Sequence, residues 1–196
     1  MNPGELKERI TILSLTEINN NYIWNKETTA WAKVEHLNGT NIFSSVGLGA
    51  KSIKLTIRKR NLTLHNAFMW SGRHCFLTNI VNVERLYFEV TAALVNPKTC
   101  AIKREYEPTY NNLNRPVYSE PALITFPGIL TEKYLGNIRN DPMTTIETRY
   151  ILVTPKIITL REGELVTISE TDYEVLISHT LDEFKNEYEI VARSDA

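Results

Sequence analysis

Residues 53–58 read Ile-Lys-Leu-Thr-Ile-Arg, and this strict alternation constrains the chain more than any other feature. Successive side chains of an extended strand point to opposite faces, so Ile53, Leu55 and Ile57 share one face and Lys54, Thr56 and Arg58 the other. Phe88, Val90, Ala92 and Leu94 repeat the pattern. In the second half Tyr173, Val175 and Ile177 fall on one face of a segment, and Tyr188, Ile190 and Ala192 on one face of another. Helical periodicity is scarce. Asn2 with Pro3 predicts one short turn over residues 3–8, and Thr180 to Phe184 a single turn inside a hairpin. The expected fold class is all-β: two small antiparallel β-barrel or sandwich modules in tandem, with little helix.

A weak internal repeat supports the tandem reading. Phe68-Met69-Trp70, a turn at Gly72, and Phe76 to Ile80 match Leu165 to Ile168, a polar turn at Ser169–Asp172, and Tyr173 to Ile177. Between the halves, residues 96–120 hold Pro97, Pro108 and Pro116 with Asn111, Asn112 and Asn114, followed by Pro121. Proline and asparagine interrupt ladders, which predicts an interdomain linker. The expected division is a module over residues 1–95, a linker over 96–120 and a second module over 121–196. Two loops interrupt the strand pattern. Residues 38–50 combine glycines, Gly47 and Gly49 among them, with Ile42, Phe43, Val46 and Leu48. Exposed apolar groups on a mobile loop read as a partner surface. The other reading is a compact loop folded onto its own barrel. A counterpart in the second module carries Leu135, Ile138, Arg139 and Met143.

Charge is uneven along the chain. Residues 1–95 carry 11 Lys and Arg against 7 Asp and Glu, whereas residues 121–196 carry 7 against 13. A basic first half and an acidic second half suit either head-to-tail contact between subunits or the steering of two unlike partners. No apolar run approaches the ~20 residues of a membrane-spanning helix. Glu5, Lys7, Glu8 and Arg9 stand where a signal peptide needs an apolar core, so no secretion by that route is expected.

Chemistry-bearing patterns are sparse. The two cysteines, Cys75 and Cys100, are expected to be reduced thiols, and none of the four histidines has metal-ligand spacing with a cysteine or carboxylate. His74 and Cys75 fall on opposite strand faces. The glycine-containing loop lacks the Lys-Ser/Thr ending of a phosphate-binding loop. Glu162, Glu164, Glu170, Asp172 and Glu174 read as solvated edges and turns. No enzymatic activity, cofactor or metal is expected. Lys54, Arg58, Lys59, Arg60 and Arg73 form a basic cluster near Trp70 and Phe76. It suggests a barrel that binds single-stranded nucleic acid, although both aromatics fall at positions read as inward-facing.

The chain opens with Pro3-Gly4-Glu5-Leu6 and Arg9-Ile10-Thr11-Ile12. Then come Trp31-Ala32-Lys33-Val34-Glu35, an insertion loop, Ile53 to Arg58, and the Gly72 turn before Phe76. Over residues 1–95 this succession resembles the head–tail adaptor proteins of tailed bacteriophages and prophages, also called head–tail joining or head-closure proteins. The second half is loosely similar to small head-closure or tail-completion proteins. The resemblance implies a small β-barrel with a long loop and a structural role in the virion. It also implies a ring at the portal–tail junction that joins head to tail and helps retain packaged DNA. The implied partners are the portal or adaptor ring, tail terminator or tail proteins, and further copies of the chain, which the resemblance implies form a ring in the particle and stay monomeric when isolated. DNA would lie nearby without sequence-specific binding, and no membrane is involved. The implied location is the virion, and the host cytoplasm during assembly. On this reading Lys54, Arg58 and Arg60 are candidate subunit contacts. The alternative is a cellular β-barrel module binding single-stranded nucleic acid or peptide.

Overall fold

The computed structural model describes residues 3–37, 51–105, 109–117, 120–132 and 149–193. The chain is all-β, with one short 3-10 turn at Pro3–Glu5 as its helical content among the described residues. Six strands come first: β1 (Glu8–Ile18), β2 (Asn21–Leu37), β3 (Ser52–Arg58), β4 (Ala67–Trp70), β5 (Arg73–Val83) and β6 (Tyr87–Val95). They pair in the order β1-β4-β5-β6-β3-β2, and β2 returns to β1, which closes an antiparallel six-stranded barrel. The alternating residues fill it as the sequence predicts. Ile53, Leu55 and Ile57 are fully buried, and they pack with Ile10, Ile12, Phe68, Leu77 and Val90.

Beyond Val95 come β7 (Lys98–Arg104), a small hairpin of β8 (Thr109–Tyr110) and β9 (Pro116–Val117), then β10 (Ala122–Glu132) and β11 (Arg149–Pro155). The chain ends in β12 (Leu165–Ile168), β13 (Thr171–His179) and β14 (Lys185–Ala192). Here β7, β10, β11, β14, β13 and β12 also pair in a closed antiparallel circuit. The stretch 96–120, expected to be a linker, therefore contributes a strand of this circuit. Cys100 and Ile102 of β7 are buried in its core, which gives the segment a reason to extend despite the flanking Pro97.

Tight turns set the registers. Asn19–Asn20, Ser71–Gly72 and Ser169–Glu170 each connect paired strands through two residues, all at positive φ. Such mirror-image turns match the strand twist, and asparagine and glycine accept the left-handed backbone most readily. One expected face is broken. Val175 is buried but Ile177 is 39% exposed, because the β13–β14 register shifts between them and the bulge turns later side chains outward. Ala192 is likewise exposed, beyond the buried Tyr188 and Ile190. The segment Thr180 to Phe184 forms a bend rather than a helical turn.

The two circuits touch along a seam. Phe76 and Ala93, on the outer face of the first, cluster with Ile129, Ile151 and Val153 of the second, and the Phe76 and Phe184 rings lie 6.2 Å apart. At the tip of the β1–β2 hairpin, Asn21 pairs with Thr125 of β10 in parallel fashion, and the Thr125 N–H donates to the Asn20 carbonyl at 3.0 Å.

Candidate interaction surface

The loop residues Ile42, Phe43, Val46, Gly47, Leu48 and Gly49, and Leu135, Ile138, Arg139 and Met143, lie outside the described residues. The strand ends that carry them are described. Leu37 pairs with Ser52, and Glu132 with Tyr150, so each loop leaves the end of an antiparallel hairpin.

Of the candidate contact residues, Lys54 and Arg58 project from the outer face of β3, and Arg60 follows it. Lys54 is already engaged, its Nζ 2.8 Å from the Glu89 carboxylate on β6. Its neighbour Lys33 is held by Glu5 at 3.1 Å and Glu35 at 3.0 Å. Arg60 donates from Nη1 to the Thr29 carbonyl at 3.2 Å, and its buried Nε has no hydrogen-bond partner among the described residues. Arg58 is exposed and makes no ion pair among the described residues.

The structure adds a residue that reasoning from charge alone missed. Trp31 is 58% exposed on the outer face of β2. It pairs in register with Arg9 of β1. The ladder on its other side runs to Ala32–Ile57, and one further step brings Trp31 opposite Arg58. Arg58, Arg60 and Trp31 line one cleft with Leu6 and Thr29. An indole between two guanidiniums on neighbouring strands offers an apolar plate and two charges that form planar hydrogen bonds to carboxylate or phosphate. The signal was present in sequence: Ala30, Ala32 and Val34 claim the inner face and leave Trp31, Lys33 and Glu35 outside.

The wider basic cluster does not hold together. Trp70 is half-buried, its ring 5.8 Å from that of His36 and its Nε1 donating to Glu8 at 3.4 Å. Phe76 is buried in the seam rather than inside its own barrel. Arg73 lines a separate cleft with Lys51, Met69 and His74.

On the second circuit, Glu164 is not a wet edge. Arg104 of β7 grips it through Nε at 2.7 Å and Nη2 at 3.1 Å. Burial pushes the Glu164 carboxyl up, but the Arg104 guanidinium and the Arg161 N–H reverse this and hold it below the usual carboxylate range. Asp172 and Glu174 stand on the outer face of β13, opposite Thr167 and Leu165. Lys185, Glu187 and Glu189 are buried on β14, with Lys185 paired to Glu187 and, at 3.3 Å, to Asp182.

Both cysteines are buried and free, and burial pushes each thiol up to about 12, which removes the thiolate needed for nucleophilic work at neutral pH. His74 lies opposite Cys75 as expected, outside the barrel core, its ring 5.4 Å from that of Trp24. Burial lowers its pKa to about 4. Among the described residues, no three His, Cys, Asp or Glu side chains gather in a metal-binding group. No family model, curated protein or solved structure matches the chain.

Proposed function

We propose that the chain is a structural, non-enzymatic component of a phage or prophage head–tail junction, assembling as a ring between portal and tail and helping to retain packaged DNA. One observation carries this reading: the segments that resemble head–tail adaptors fall in order on the elements of one closed barrel. Arg9–Ile12 lie on β1, Trp31–Glu35 on β2, Ile53–Arg58 on β3, Gly72 in the β4–β5 turn and Phe76 on β5. The 38–50 loop leaves the end of the β2–β3 hairpin, and its apolar residues Ile42, Phe43, Val46 and Leu48 supply the joining contact. The partners are the portal or adaptor ring and tail proteins, in the host cytoplasm during assembly and in the virion afterwards.

Electron microscopy of the purified protein, mixed with the portal and tail proteins encoded beside it, tests the reading. Ring-shaped density at the portal end supports it. Failure to bind either component overturns it. A second reading, a module for single-stranded nucleic acid or peptide, draws on Trp31 between Arg9 and Arg58. It predicts binding of a single-stranded oligonucleotide that weakens steeply with salt.

A further inference from the structure

The outer face of the first barrel divides into satisfied and unsatisfied charge. Lys33 and Lys54 are bound to carboxylates of the same subunit. Arg9 and Arg58, which flank the exposed Trp31, make no ion pair among the described residues. Tryptophan and arginine are the residues that most often dominate protein–protein binding energy. The second circuit carries a reciprocal row. Leu165, 38% exposed, pairs in register with Glu174, and Thr167 with Asp172. Asp172 accepts a hydrogen bond from the Thr167 hydroxyl at 2.6 Å, and neither Asp172 nor Glu174 makes an ion pair among the described residues. Among the described residues no ion pair joins the two rows within the subunit.

We propose that the Arg9–Trp31–Arg58 row receives a second copy of this chain, docked through the Leu165, Asp172 and Glu174 face of its β12–β13 hairpin. The inference rests on the ring reading above and names the face that would build the ring. Indole meets leucine, and guanidinium meets carboxylate. The two patches differ, so the contact is heterologous and leaves one free patch at each end of a dimer, the geometry that propagates to a ring or a filament. Nucleic acid fits this face less well. Glu5, Glu35 and Glu89 stand among its cations, where a phosphate backbone would be repelled, and among the described residues of β1–β3 Trp31 is the only tryptophan or tyrosine left exposed enough to stack a base.

The test is sedimentation of the full-length chain over a concentration series at low and high salt, with melting curves as a control for folding. Concentration-dependent oligomers at low salt are expected, weakened by salt. Trp31→Ala should weaken self-association by roughly tenfold or more. Arg58→Glu should do likewise, and Arg58→Glu with Glu174→Arg should recover most of the loss. A monomer at every concentration in low salt overturns the proposal. So does association that folded Trp31→Ala and Arg58→Glu variants leave unchanged. Binding of a single-stranded oligonucleotide that both variants abolish, without self-association, also overturns it and favours the nucleic-acid module. The outcome is separable from the junction reading. Portal binding by a chain that stays monomeric alone removes this inference only. Self-association without portal or tail binding removes the junction reading only.

Discussion

The two circuits reach closure by different means. The first is built from strands consecutive in sequence, and its core cluster is wholly apolar. The second draws β7 from within the Pro- and Asn-rich stretch, and its core admits polar groups. The Tyr188 hydroxyl donates to the Ile158 carbonyl at 3.0 Å and accepts from the Leu160 N–H at 3.0 Å. The Asn186 amide donates to the carbonyls of Lys156 and Ile158 at 3.0 and 2.8 Å. These side chains satisfy the backbone of a non-strand segment that covers the circuit, which an all-hydrocarbon core cannot do. Alternation and tight turns specify the first circuit, whereas the second also depends on side-chain hydrogen bonds to a buried non-strand segment.

Removing core volume should have the largest effect. Leu55→Ala in the first circuit and Leu152→Ala in the second should each cost about 2–5 kcal/mol in chemical denaturation. Because Phe76, Ala93, Ile129, Ile151 and Val153 are buried between the circuits, each variant should shift a single shared transition. Two transitions, each moved by only one variant, would make the circuits independent modules.

Acid should act next, and on the first circuit. His74 titrates near 4 in the folded chain rather than at the ordinary 6.5, through burial. The unfolded chain therefore binds more protons between these values. Stability is complete above pH 6.5 and falls as pH drops toward 4, by on the order of 3 kcal/mol. Glu164, held low, adds a further loss at the acid end. Denaturation of His74→Leu across this range should show a flatter profile, and an unchanged slope would remove His74 from the account.

Tyr188→Phe, which leaves the Leu160 N–H without its acceptor, should destabilise by about 1–3 kcal/mol. A neutral result would mean that the second core is specified by packing alone, like the first. The smallest effect concerns turns. Glu170 sits at φ 71, where a side chain is strained, so Glu170→Gly should raise stability by about 0.5–1 kcal/mol in melting.

The difference between the circuits also explains what could be read in the sequence. Ile53 to Ile57 and Phe88 to Leu94 are long alternating runs, and the barrel they build was legible. The strand β7 was not, because its inward pair, Cys100 and Ile102, is too short a pattern to outweigh the prolines nearby. The strand β10 runs through Pro127-Gly128. A Cβ on residue 128 would lie 2.6 Å from Cys100 Sγ and 2.7 Å from Leu152 Cδ1, so glycine is there for close approach. The ion pair of Arg104 with Glu164 spans distant segments and has no local signature. Of the candidate surface, Arg58 was legible from charge, but Lys54 was not excluded until Glu89 was seen beside it. Trp31 became visible only when its neighbours were assigned to the core.

Closure has a consequence for how the molecule can be recognised. Every strand of the twelve-stranded sheet has two hydrogen-bonded neighbours among the described residues, though often over only part of its length. Closure is therefore incomplete along the strands: Tyr22–Trp31 of β2 pair with β1 alone, and this open side is where an incoming peptide could add as an extra strand. Where both sides are paired, a partner of the sheet must read side chains on its faces or loops at its ends. Affinity there can be tuned one substitution at a time without touching the hydrogen-bond lattice beneath.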